Sequence, residues 1–130
     1  MGAINVLLVD DEAVFAGNMS RLLAKRGYAV AAAHSGGEAI DRLRSQAFDV
    51  VVLDLKMPDM DGIATLQEIK RLGLDVETLM LTGHGSIDTA LEAIQMGAYD
   101  YLTKPCEIGE LVAKIESARQ RKKLREERSG

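Results

Sequence analysis

Five short runs of apolar, often β-branched residues recur along this chain, and helically patterned segments separate them: Asn5 to Val9, Ala29 to Ala33, Val50 to Leu53, Thr78 to Leu81, and Tyr99 to Thr103. Runs of this length and composition fit buried strands. In the intervening segments, Phe15, Met19, Leu22 and Leu23 share one helical stripe, as do Ile63, Leu66 and Ile69. Ile87, Ala90, Leu91 and Ile94 mark a fourth helix, and Ile108, Leu111, Val112 and Ile115 a fifth. Gly27, Gly73 and Gly97 stand where helices end, in keeping with left-handed caps. Strict alternation of strand and helix predicts an α/β fold with a parallel sheet and right-handed crossovers. The five units share polarity but no residue pattern, which argues against a solenoid.

At 130 residues the chain is the size of one domain. Its 47% hydrophobic and 28% charged residues describe an ordinary globular protein, and no apolar run approaches bilayer length. The N-terminus lacks a basic start, and its short apolar stretch ends in Asp10 and Asp11, so it does not read as a secretory signal. Gly2 does not read as a myristoylation site, because Val6 stands where Ser or Thr is needed. A cytoplasmic location with no membrane contact is expected. Cys106 is the single cysteine, so an internal disulfide and a cysteine-based metal site are both excluded. A net charge of −4 gives no global reason to expect direct nucleic-acid binding.

Ligands of open parallel sheets bind beyond the C-terminal ends of the strands, and those ends are polar here. The first strand ends in Asp10 and Asp11, the third in Asp54, the fourth in Thr82, and the fifth in Thr103, Lys104 and Pro105. If the first, third, fourth and fifth strands are neighbours, these side chains converge on one rim. Clustered carboxylates repel unless a cation neutralises them, and an all-oxygen set suits magnesium. Lys104 offers a movable positive charge and Thr82 a hydroxyl donor for a phosphoryl oxygen. Asp54 is the candidate nucleophile, since a carboxylate can form an aspartyl phosphate when a metal and a lysine stabilise the developing charge. Each residue also has a plain explanation: Asp11 as a helix N-cap, Thr82 as a strand former, Lys104 as a solvated charge before a turn proline. These would have to hold independently at every strand end.

Val9-Asp10-Asp11-Glu12, Asp54-Leu55-Lys56-Met57-Pro58 and Lys104-Pro105 occur in the order and at the spacing of response-regulator receiver domains of bacterial two-component systems. The chain resembles that family over residues 4 to 118, with Asp59-Met60-Asp61-Gly62 and Met96 to Leu102 adding to the match. The resemblance implies a flavodoxin-like (βα)5 three-layer sandwich with strand order 2-1-3-4-5. It implies that Asp54 is the phosphoacceptor, that Asp10, Asp11, Asp54 and the backbone carbonyl of Lys56 bind Mg2+, and that Thr82 and Lys104 bind the phosphoryl group. The donor would be a phosphohistidine on a sensor histidine kinase or histidine phosphotransfer protein. The domain would be an autocatalytic phosphoacceptor with slow self-dephosphorylation rather than a turnover enzyme.

By the same resemblance Thr82 and Tyr101 are switch residues, and Lys56 and His84 tune the lifetime of the acyl phosphate. A strand tyrosine at 101 can equally be static packing. Gly83 would leave room for the phosphoryl group, and Pro105 resembles the family's cis proline. Cys106 departs from the bulky apolar residues common there and reads as a small buried hydrophobe. Leu81 to Ile87 looks like receivers of sigma-54-dependent transcription activators, which implies an effector domain or a phosphorylation-dependent homodimer as output. Residues 1–118 are expected to form the receiver, and 119–130 a charged helix end or linker. The basic run there reads as a solvated helix end, because no apolar heptad continues beyond Ala118. A phosphatase of the haloacid dehalogenase type is the enzyme alternative, but its Asp-x-Asp motif after the first strand is replaced here by Asp10-Asp11-Glu12. A pure interaction module would not require the complete polar set.

Overall fold

A computed structural model of the chain describes residues 2–57, 60–83 and 87–129. The elements alternate without exception: β1 (Asn5–Val9), α1 (Ala13–Lys25), β2 (Ala29–Ala33), α2 (Gly36–Ser45), β3 (Val50–Asp54), α3 (Gly62–Arg71), β4 (Glu77–Thr82), α4 (Ile87–Gln95), β5 (Asp100–Thr103) and α5 (Ile108–Ser129). All four strand pairings are parallel, in the order β2-β1-β3-β4-β5. The expected flavodoxin-like sandwich is therefore present.

The period of two along each strand divides the core between the two faces of the sheet. Leu7, Val9, Val51, Leu53 and Met80 point to the side covered by α2, α3 and α4. Val6, Leu8, Val50, Val52, Leu79, Leu81 and Leu102 point to the side covered by α1 and α5. The central strands β1, β3 and β4 are buried on both faces. Edge strand β2 is half-buried for most of its length, which departs from the expectation that every strand is buried. The helix ends at Gly27, Gly73 and Gly97 have φ of 95°, 65° and 112°, and in each the next residue donates its N–H back into the last turn, at Leu23, Ile69 and Ala93.

Two helices differ from the pattern read in the sequence. The buried positions of α4 are Ala90 and Ala93, while Ile87 and Leu91 stand 37% and 48% exposed. Small residues let α4 lie close to the sheet, and its larger apolar side chains turn outward. In α5 the charged segment after Ala118 continues as helix, and it folds against the N-terminal edge of the sheet. Arg121 Nη2 and Arg125 Nη1 reach the two carboxylate oxygens of buried Glu77 at 2.6 and 2.7 Å, and Arg125 also pairs with Asp75 at 2.7 Å. The Lys122 side chain is 12% exposed, whereas residues 120, 121 and 123–128 stand exposed, so the segment is a solvated helix end anchored by a few ion pairs.

Candidate functional site

The C-terminal edge of the sheet gathers the polar strand ends. Adjacent parallel strands β1, β3, β4 and β5 stop in register, and backbone bonds carry the ladders one residue further. Leu55 N–H donates to Leu81 O at 2.9 Å and Lys104 N–H to Thr82 O at 2.8 Å. Asp10 and Thr82 are fully buried, and Asp54 is 6% exposed. A cleft of about 330 Å³ opens above them, lined by Asp11, Glu12, Asp54, Lys56, Gly83 and Lys104.

Lys104 is the hub of the cleft. Its Nζ lies 2.7 Å from Asp10 Oδ2, 2.7 Å from Glu12 Oε1 and 3.5 Å from Asp54 Oδ2. The Lys104–Pro105 bond preceding α5 is cis. Asp10 uses Oδ1 to accept the Glu12 N–H at 2.9 Å, whereas its buried Oδ2 has no donor in hydrogen-bonding alignment. Its closeness to Lys104 is thus an ion contact, and a buried oxygen is left with capacity for a further positive partner. Oxygens of Asp10, Glu12 and Asp54 all lie within 4.8 Å of one another, the group of acids among the described residues that is arranged to share a cation.

The electrostatics follow from this crowding. Burial first, and the Asp10 charge second, push the Asp54 carboxyl up to about 6, although Lys104 and the Lys56 N–H at 3.3 Å pull the other way. Burial alone would lower the Lys104 ammonium, but its contacts with Asp10 and Glu12 outweigh that, and it is raised. Lys104 holds exposed Glu12 below the usual carboxylate range. Burial raises the Cys106 thiol, with Glu110 adding to the effect, so this half-buried cysteine packs as an apolar group and is disfavoured as a thiolate.

The remaining residues fall where their strands put them. Thr82 donates its hydroxyl to the carbonyl of Gly83 at 3.1 Å, a weak local bond that leaves it free to change partner. A Cβ built on Gly83 would meet nothing within 4 Å, so the space beside it is open. Tyr101 pairs in register with Met80, and Thr103 with Thr82, which puts half-buried Tyr101 two residues below the partner of Thr82 on the same side of the sheet. Lys56 is exposed at the cleft wall. Pro58, Asp59 and His84 lie outside the described residues, so the position expected for lifetime tuning at His84 is not described.

Two features were not legible in the sequence. The N-cap of α1 is Glu12 rather than Asp11, and exposed Asp11 lines the cleft without joining the cluster of three acids. Gly62 is the second. Asp61 caps α3 by accepting the Ala64 N–H at 2.8 Å, and Gly62 donates to Leu55 O at 3.0 Å. A Cβ at Gly62 would sit 2.5 Å from Asp54 O and 2.7 Å from Leu55 Cα. A bare α-carbon is what lets α3 begin directly against the strand end that carries Asp54. Its place one residue after a capping aspartate was the available signal.

Comparison with known proteins agrees with this geometry. The family model "Response regulator receiver domain" matches residues 6–116. Transcriptional regulatory protein ZraR of Escherichia coli K12 is 44% identical over 115 residues, which cover 88% of this chain and 26% of that protein. DNA-binding transcriptional regulator NtrC of the same organism is 38% identical over 113 residues, covering 87% of this chain and 24% of NtrC. The chain thus spans about a quarter of the length of these curated relatives. A crystal structure of a response regulator receiver domain protein from Clostridium thermocellum superposes with a TM-score of 0.88 at 36% identity, covering 93% of this chain and 98% of that one. Matched in sequence over most of its length and in fold over nearly all of it, the chain belongs to the response regulator receiver domains of two-component systems.

Proposed function

We propose that this domain accepts a phosphoryl group on Asp54 from the phosphohistidine of a sensor histidine kinase or histidine phosphotransfer protein. The observation that carries the reading is the convergence of Asp10, Asp54, Thr82 and Lys104, from four strand ends, at one cleft. At neutral pH a carboxyl near 6 is ionised, so an Asp54 oxygen is available as nucleophile. It forms the P–O bond as the P–N bond of the donor breaks, and the departing imidazole takes a proton. Lys104 lies 3.5 Å from Asp54 and would shift toward it to pair with a phosphoryl oxygen. Thr82 would exchange the Gly83 carbonyl for another phosphoryl oxygen.

The donor set fits Mg2+: hard carboxylate oxygens, one of them buried without an aligned donor. Asp10, Asp54 and the carbonyl of Lys56 would hold the ion, with Asp11 at the rim. When bound, it neutralises the acids and stabilises charge on the transferring group. Lys56 and His84 would govern water access to the acyl phosphate. Movement of the Thr82 hydroxyl would free space toward Tyr101 and alter the α4–β5–α5 face, where Ile87 and Leu91 are exposed. That face would serve a second copy or an effector domain, with transcription as the output by similarity to ZraR and NtrC. The match of Leu81 to Ile87 with sigma-54-dependent activators belongs to the same proposal. We place the domain in the cytoplasm; no described helix is long and apolar enough to cross a membrane.

Acetyl phosphate with and without magnesium tests the reading. A metal-dependent phosphoprotein that decays slowly is expected. Continuous turnover of donor would instead indicate a phosphatase, and no modification under either condition would leave an interaction module.

A further inference from the structure

Glu12 occupies the N-cap of α1 but makes no side-chain capping bond. Glutamate is not among the residues that cap well, and here Asp10 satisfies the Glu12 N–H in its place. The Glu12 carboxylate reaches across to β5, where its Oε1 meets Lys104 Nζ at 2.7 Å. One turn into α1, the Phe15 ring lies beneath the same ammonium, 4.5 Å from Nζ to ring centroid. Lys104 is therefore held by four groups at once, and it sits nearer Glu12 and Asp10 than Asp54. Its side chain is only 16% exposed although Glu12 is 65% exposed, so Phe15 and Glu12 form the wall and rim of a small socket.

We propose that Glu12 and Phe15 form a holding socket for the Lys104 ammonium, and that the lysine must leave it to engage a phosphoryl group on Asp54. The two are positioning residues that act through Lys104, and the inference rests on the phosphoacceptor reading of Asp54. The socket keeps the lysine from closing over Asp54 before the phosphoryl group arrives, and it competes with the contact made afterwards. An exposed ion pair and a single cation–π contact are weak interactions, so the effect is a modulation of rate.

Glu12→Gln, Glu12→Asp and Phe15→Leu separate a socket from a simple field effect. Aspartate keeps the charge of Glu12 but is one methylene shorter, and as a good N-cap it turns toward the backbone N–H groups of α1. In metal-free protein, NMR should show a nuclear Overhauser contact between the Lys104 side-chain methylenes and the Phe15 ring that disappears in both Glu12 variants. Phosphorylation by acetyl phosphate should be faster in all three variants, by roughly two- to fivefold. If Glu12→Asp matches wild type in both measurements, charge alone is at work and the socket is wrong. A contact that persists in both Glu12 variants overturns it equally. If wild type takes up no phosphoryl group, the phosphoacceptor reading fails, and the metal-free contact still decides whether the socket exists.

Discussion

At Asp54, burial and the neighbouring Asp10 charge favour the protonated form, while function calls for the ionised one. Its carboxyl is raised from 3.8 to about 6, so the folded state holds more protons than the unfolded state between those values. Stability from this group is fully present below the lower value and is lost as pH rises through the upper one. Metal-free Asp54→Asn should therefore be more stable than wild type at about pH 7.5, by up to about 3 kcal/mol, with the gap closing near pH 4. Urea denaturation in chelator checks this, and a gap independent of pH would contradict it. Lys56→Ala and His84→Ala should change the half-life of the phosphoprotein more than its rate of formation, as read by decay after donor removal. Unchanged half-lives in both would remove their lifetime role. Asp54 and Lys104 were legible in the sequence because each terminates an apolar run. Which of three successive acids turns inward was not, since backbone dihedrals between β1 and α1 decide it.

On the element scale, β4 carries a buried polar side chain at each end: the Thr82 hydroxyl at the cleft and the Glu77 carboxylate at the opposite edge. Burial alone would raise the Glu77 carboxyl, but hydrogen bonds from Arg121 and Arg125 outweigh it and leave it lowered. A lowered carboxyl contributes stability that is present above its ordinary value of 4.5 and disappears as pH falls through the folded value. Glu77→Gln should cost roughly 2–3 kcal/mol at neutral pH, because it leaves two guanidinium groups without their buried partner. The difference from wild type should shrink in acid, and a variant as stable as wild type at neutral pH would show that the clamp is idle. At the other end of β4, Thr82→Ala should keep phosphorylation of Asp54 and lose the response of Tyr101 and α4 amides to a beryllofluoride mimic in NMR spectra. Full retention of that response would make Tyr101 a static packing residue. The course of α5 beyond Ala118 was not readable from apolar periodicity, because ion pairs hold it to acids 44 to 50 residues away.

Across the whole molecule, the sheet separates two electrostatic tasks. Its C-terminal edge concentrates acids around one lysine, and its N-terminal edge locks α5 in place through Glu77 and Asp75. The fold class was legible because strict alternation of short apolar runs with helical stripes admits few topologies. The central claim is that Asp54 is the acceptor, and intact mass measurement after incubation with acetyl phosphate and magnesium tests it most directly. Wild type should gain the mass of one phosphoryl group, it should gain none when magnesium is chelated before the donor is added, and Asp54→Asn should gain none in either condition. Equal phosphorylation of Asp54→Asn would contradict the account.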